Sequence, residues 1–186
     1  IFWKHQPKSV ILGFEIILDV AILHNLLPII SHCIIPFLKR HNIKVWQIVH
    51  NYRLLCPIGL FFTKGEICEK CLSKHREWNC LKNKCNGGLF SSFSYSFKLF
   101  LIRRLKYYDK VDRLYTISSF IANKLIDNGF PQNKIYILPN AIETVDKEQE
   151  KSLNSEERKY ITFVGRLTEE KGFYDFIRIA KDMPEY

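Results

Sequence analysis

Two spacings of apolar residues organise this chain. Short runs rich in β-branched and aromatic residues recur at 20–23 (VAIL), 44–49 (KVWQIV), 112–117 (DRLYTI) and 134–138 (KIYIL). They are short for helices and largely apolar, as buried parallel strands are. Between them the apolar positions switch to helical spacing. Ile34, Ile35, Leu38 and His41 share one face, with Ser31 as a candidate N-cap and Asn42 as terminator. Ile121, Leu125 and Ile126 follow Ser118-Ser119 and precede Gly129 and Pro131, the start and stop signals of a second helix. The apolar stretch 10–18 predicts a helix leading into Asp19. Strand, helix and strand within about 30 residues form a βαβ unit. The pattern predicts an α/β fold.

Sheets of this kind bind ligands beyond the carboxyl ends of their strands. The strand at 20–23 delivers His24 and Asn25 there, and the strand at 44–49 delivers His50 and Asn51. A polar residue at a strand end is often only a hydrogen-bonded turn residue, which leaves His24 the weaker candidate.

The stretch 160–181 (YITFVGRLTEEKGFYDFIRIAK) repeats the theme. Residues 160–164 predict a strand, Gly165-Arg166 breaks it, and Lys171-Gly172 opens a helix. In that helix Phe173, Phe176, Ile177 and Ala180 share a face. The free N–H groups and positive dipole end of such a helix favour an anion, and Arg166 and Lys171 bracket its place. A phosphate or diphosphate fits that chemistry. Solvated loop charges are the plain alternative.

Residues 143–159 (ETVDKEQEKSLNSEERK) are polar and charge-rich and predict a linker. Residues 89–108 (LFSSFSYSFKLFLIRRLKYY) place Phe93, Phe97, Phe100, Leu101 and Tyr108 at helical intervals beside Lys98, Arg103, Arg104 and Lys106. That composition suits a helix lying on an anionic membrane surface and equally a core helix with a basic outer face.

A hydrophobic fraction of 47% supports a core, and 186 residues suffice for one domain, or one with part of another. The net charge of +9 points to an anionic partner. Polar residues interrupt the apolar stretch 10–38, so it lacks the roughly 20 apolar residues of a spanning helix. No secretory leader is recognisable, and the chain reads as cytoplasmic, with the inner face of the membrane as a candidate peripheral location.

Cys56, Cys68, Cys71, Cys80 and Cys85 fall within thirty residues. The Cys68-x2-Cys71 spacing is that of a metal knuckle, and Zn²⁺ takes four thiolates in a tetrahedron. Cys56, Cys68, Cys71 and Cys85 are the ligands expected, with Cys80 or His75 in reserve. Disulfides conflict with a cytoplasmic location; reduced free thiols are the other alternative.

Taken in order, DVAILHN (19–25), VHNYRLLCP (49–57), CEKC (68–71), TISSF (116–120), LPNAI (138–142) and FVGRLTEEKG (163–172) resemble the glycosyltransferase family 4 branch of the GT-B glycosyltransferases. The resemblance implies two Rossmann-like domains facing each other across an active-site cleft. It implies transfer of a hexose from a nucleotide-sugar, UDP- or GDP-linked, to a saccharide or lipid-linked acceptor in polysaccharide or glycoconjugate synthesis. The anomeric configuration would be retained and no catalytic metal used. Arg166 and Lys171 would hold the donor diphosphate, and losing one would cost on the order of a hundredfold or more in rate. Gly165 would let the backbone approach the phosphates, and His50 would face the transferred sugar as the catalytic-site histidine. The cysteine-rich insert, 56–88, recurs in a subset of this family as a structural element.

The same resemblance divides the chain into a partial acceptor-side domain at 1–143, a linker at 144–158, and the start of a nucleotide-sugar domain at 159–186. The family's first Gly-rich loop and its Glu-x7-Glu pair are absent, and Ala141 stands where a Gly is usual. An incomplete GT-B protein, inactive as this segment alone, is the expectation. The rivals are a metal-stabilised basic nucleic-acid-binding module and an inactive relic. With one close Cys pair where zinc ribbons usually carry two, no nucleic-acid partner is expected.

Overall fold

The computed structural model describes residues 9–11, 14–16, 18–26, 32–72, 76–142 and 160–183. The expected linker, Ser31 and His75 lie outside the described residues. The chain forms two compact units, one of Ile1–Phe61 with Cys68–Pro139 and one of Phe62–Ile67 with Asn140–Tyr186.

The first unit is α/β. Strands β3 (Val20–His24), β4 (Lys44–Val49), β7 (Arg113–Thr116) and β8 (Ile135–Ile137) form a parallel sheet in that spatial order. Val20 pairs with Lys44, Trp46 with Arg113, and Leu114 with Ile135. Strand order follows chain order, so every crossover steps in the same direction. Right-handed connections then place their helices on one face of the sheet. That face carries Val45, Val49 and Leu114, packed with Ile35 and Leu38 of α1 (Ile34–Arg40) and with Ile121 and Leu125 of α4 (Ser119–Asp127).

The opposite face stays open among the described residues. Its Ile22 is 55% and its Tyr136 42% exposed. There the guanidinium of Arg113 lies 4.9 Å from the Trp46 ring and 5.2 Å from the Tyr136 ring. Strand β4 therefore alternates: Val45, Gln47 and Val49 are buried while Trp46 and Ile48 are half-buried. It is not covered on both sides, as its apolar run implied.

Local signals set the helix ends. The Ser118 hydroxyl caps α4 by accepting the Ile121 N–H. At the other end Gly129, with φ 87°, donates to Ile126 O while Phe130 donates to Leu125 O, the paired bonds of a Schellman turn. Asn42, φ 58°, ends α1 in the same way through Asn42 N–H to Lys39 O and Ile43 N–H to Leu38 O. The Asp112 carboxylate joins α1 to the sheet, accepting from Lys39 Nζ at 2.8 and 2.9 Å and from Val45 N–H at 2.7 Å. Burial opposes its charge, yet those hydrogen bonds hold the carboxyl below its ordinary range.

Two expected elements differ. The described residues of the stretch 10–18 include an antiparallel pair, β1 (Ser9–Ile11) with β2 (Phe14–Ile16), where a helix is expected. Val10, Ile11, Ile16 and Ile17 are β-branched, and Gly13 disfavours helix, so local preference opposes the apolar spacing. Residues 160–164 form no strand. A strand needs a neighbour's N–H and C=O groups, and no described residue supplies them there.

The second unit contains the hairpin β5 (Phe62–Thr63) and β6 (Glu66–Ile67), turned by Lys64 and Gly65, both at positive φ. It also holds α5 (Phe173–Asp182), whose Phe173 and Phe176 rings pack on Phe163 at 5.5 and 5.4 Å. The expected face is right for Phe173, Phe176 and Ile177, which are half-buried, whereas Ala180 is exposed. Among the described residues no helix is long and apolar enough to cross a membrane.

Candidate functional site

The carboxyl ends of β3 and β4 converge on two histidines and two asparagines. His24 closes β3, and His50 follows β4 directly. Because these strands are parallel neighbours with Leu23 opposite Gln47 and His24 opposite Ile48, their ends lie side by side. His24 Nδ1 is 3.0 Å from His50 Nε2, and the rings stack with centroids 5.3 Å apart at 24°. Asn51 Nδ2 donates to Asn25 Oδ1 at 3.1 Å. Asn25 adopts φ 37°, a left-handed conformation that asparagine tolerates.

The loop after β4 holds this arrangement. Asn51 Oδ1 accepts the Arg53 N–H, and Tyr52 N–H bonds Gly59 O while its ring stacks on Phe61 at 4.6 Å. Leu54, Leu55 and Cys56 are buried beneath. The recess at this end is only about 20 Å³, bordered by Asn25, His50, Asn51 and Arg53. That volume holds no more than a water molecule. His24, the weaker candidate on sequence, is in direct contact with His50.

In the second unit the turn before α5 carries the expected donor residues. Gly165 has φ 157°, which L side chains rarely adopt, and the Phe163 ring lies 3.6 Å from where a Cβ would stand. Arg166 Nη2 donates to Glu170 Oε1 at 3.2 Å, and the Arg166 side chain is 69% exposed. The Glu170 carboxyl is held below its ordinary range by its own backbone N–H and the Thr168 hydroxyl, with further help from Arg166 and Lys171. Glu170 thus places a carboxylate among the groups expected to hold phosphate. Lys171 closes a 3-10 turn, and Gly172, φ 74°, leads into α5.

The cysteines gather in the first unit. Cys56, Cys71 and Cys80 are buried, Cys68 and Cys85 are half-buried, and all are free thiols. Burial pushes the Cys71 thiol up to about 12, reinforced by Cys56, Cys85 and Cys68. Burial and Cys85 push Cys80 up to about 12 as well, and Cys71 adds to it. Cys71 and Cys80 therefore lie close enough to other thiols to feel them, and sulfur donors are the class that suits a thiophilic metal. The arrangement itself is not a ready-made site: among the described residues no three His, Cys, Asp or Glu side chains are placed to share an ion.

The chain matches no protein-family model, no curated protein and no solved structure.

A cavity of about 480 Å³ lies elsewhere in the first unit, at the C-terminal end of α3 (Leu89–Arg104) and against Asn128–Pro131 after α4. Phe100, Arg104, Lys106 and Phe130 line it. Sequence spacing alone did not signal it, because its walls come from segments far apart in the chain.

Proposed function

We propose that this chain serves a glycosyltransferase of the GT-B type, which moves a hexosyl group from a UDP- or GDP-sugar to a saccharide or lipid-linked acceptor with retention. The observation that carries the reading is the meeting of His24, Asn25, His50 and Asn51 at the carboxyl ends of two adjacent parallel strands. Ligands of parallel sheets sit at that end, and these side chains offer hydrogen bonds suited to sugar hydroxyls. His50 is the residue assigned to the transferred sugar, with a positioning and hydrogen-bonding role. His24 orients the His50 ring.

Arg166 and Lys171 are assigned to the donor diphosphate, with Gly165 giving the backbone room beside it. In this turn Arg166 is paired with Glu170 on the surface. Such exposed pairs contribute on the order of 0–1 kcal/mol, so a diphosphate can displace the carboxylate at little cost. Fixed cations there stabilise the charge that grows on the departing nucleotide.

The test is an amide-shift titration with UDP-glucose and with GDP-mannose. Shifts at Gly165, Arg166 and Lys171 are expected, and Arg166→Ala should weaken binding about tenfold or more, the worth of one charge-assisted hydrogen bond. Unmoved amides there, with strongly salt-dependent RNA or DNA binding, would overturn the reading in favour of a nucleic-acid-binding module.

Structural zinc belongs to the same proposal: binding would have to draw Cys56, Cys68, Cys71 and Cys85, with Cys80 in reserve, into a tetrahedron that they do not form among the described residues. Because the thiols must lose protons to bind, uptake should release protons and strengthen as pH rises. Zinc content of the purified protein should approach one ion per chain and fall sharply in Cys68→Ser and Cys71→Ser. A metal-free wild-type protein that stays folded would remove zinc from the proposal.

A further inference from the structure

Helix α3 buries a mixed face of small polar and aliphatic residues and leaves its aromatic side outward. Ser92 and Ser96 are fully buried, together with Leu99 and Ile102, while the aromatic side faces out. Phe90 is 92%, Phe93 46% and Phe97 41% exposed, and Leu89, Leu101 and Leu105 extend the row. The rings form a ladder: Phe93 stacks on Phe97 at 5.7 Å and 8°, Phe97 meets Phe100 at 6.3 Å, and Trp78 closes on Phe93 and Phe100 at 6.0 and 5.7 Å. A contiguous apolar row of this extent on a surface marks an interaction site.

Charge selects the occupant. The sequence of α3 contains no acidic residue, and Lys98, Arg104 and Lys106 flank the aromatic row. Arg103 is excluded from this set because it is bonded to the buried Glu77. A second copy of the chain would set cations against cations, on a protein of net charge +9. An anionic bilayer supplies both an apolar interior for the rings and negative headgroups for the cations. A 16-residue helix is about 24 Å long, short of the roughly 30 Å hydrocarbon core, so this helix would lie in the interface and not cross it.

We propose that the Leu89–Leu105 face docks the protein in the plane of an anionic phospholipid surface. The inference is independent of the transferase reading, since it uses none of His24, His50 or Arg166. In the docked state Leu89, Phe90, Phe93 and Phe97 enter the headgroup–acyl boundary. Arg104 and Lys106, on the rim of the 480 Å³ cavity, meet headgroup phosphates.

The experiment is co-sedimentation with phosphatidylcholine vesicles, with and without phosphatidylglycerol, using the whole chain. Binding is expected to the anionic vesicles and to weaken as salt is raised. Leu89→Ser with Phe90→Ser, both well exposed and so safe for folding, should reduce binding about tenfold or more. Arg104→Glu with Lys106→Glu should reduce it about tenfold or more on anionic vesicles and leave any binding to neutral ones unchanged. Circular dichroism checks that each variant is folded. Absence of binding to anionic vesicles would overturn the proposal, as would binding unaffected by the serine pair. Concentration-dependent self-association abolished by the serine pair, without vesicle binding, would assign the face to a second copy instead.

Discussion

Replacing Arg103 with alanine is expected to destabilise the first unit by about 3–5 kcal/mol, the cost of removing one member of a buried ion pair. Arg103 Nη1 donates to Glu77 Oε2 at 2.7 Å, and Nη2 donates to Leu55 O at 3.0 Å and to Cys71 O at 3.5 Å. The side chain of Glu77 is 1% exposed and that of Arg103 19%. One guanidinium thus joins α3, the loop after β4 and the cysteine segment. Its loss strands a carboxylate and two carbonyl oxygens in a place water reaches poorly. Lysine at 103 restores the charge but not the planar fork, so it should recover only part of the loss. Glu77→Gln with wild-type Arg103 should cost less than Arg103→Ala, because a neutral amide leaves no uncompensated carboxylate. Urea unfolding midpoints at neutral pH read all three. A loss below about 1 kcal/mol for Arg103→Ala would place the pair in the class of screened surface bridges.

That pair also shows what one-dimensional pattern can and cannot reveal. In sequence, Lys98, Arg103, Arg104 and Lys106 are one basic cluster. Folding separates them: Arg103 turns inward to Glu77, and Arg104 and Lys106 remain exposed. Similarly, helical spacing places Phe93, Phe97 and Leu101 on one side but does not say which side faces the core. The buried side carries Ser92 and Ser96 with Leu99 and Ile102, so it is the aromatic part of the apolar surface that stays outside, where the usual rule packs it inward. Tyr108 leaves the stripe altogether, because the helix ends before it and Tyr107–Lys110 form a 3-10 turn that buries it.

Elements defined by local signals were legible. Strand β4 occupies 44–49 as its β-branched run implies, and the Ser118 cap and Gly129 stop bound α4 through bonds spanning three to five residues. The two failures, at 10–18 and 160–164, concern segments whose state depends on what pairs with them. An apolar run of that length reads as helix or strand until a neighbour decides.

The candidate site divides in the same way. Strand ends are readable, so His24 and His50 could be named, but the 3.0 Å contact between them depends on the β3–β4 register. The strand-end pairing Asn25–Asn51 depends on the same register. Cysteine spacing suggests a knuckle at Cys68 and Cys71. Packing adds that Cys80, kept in reserve on spacing, is as deeply placed as Cys71 and electrostatically tied to it. At the second unit the Gly165-Arg166 turn was legible, whereas Glu170 as the partner of Arg166 was not, since an i, i+4 pair here forms through a 3-10 turn.

Acidification should remove about 3 kcal/mol of stability from the first unit through a single histidine, most of it above the carboxylate range. His32 is 4% exposed, with its Nε2 2.6 Å from the Tyr108 hydroxyl and its ring edge-on to Tyr108 at 77°. Burial, assisted by Lys98, lowers it from 6.5 to about 4. The neutral imidazole accepts the Tyr108 O–H, and burial pushes that phenol up, so it stays a donor. Because the folded value lies below the unfolded one, the unfolded chain binds the proton first as pH falls. The stabilising effect is complete above about pH 6.5, is reduced by about 2 kcal/mol near pH 5, and is fully lost near pH 4. Asp112, whose carboxyl is held below 3.8, acts in a lower window, so the two contributions separate along the pH axis. His32→Gln keeps a polar side chain that no longer titrates, and its stability should be nearly flat where the wild type declines. Urea midpoints across that range, with the His32 imidazole resonance followed by NMR, make the comparison. A His32 resonance titrating near 6.5 in the folded protein would mean that the ring is solvated, and the acid sensitivity would then have to come from elsewhere.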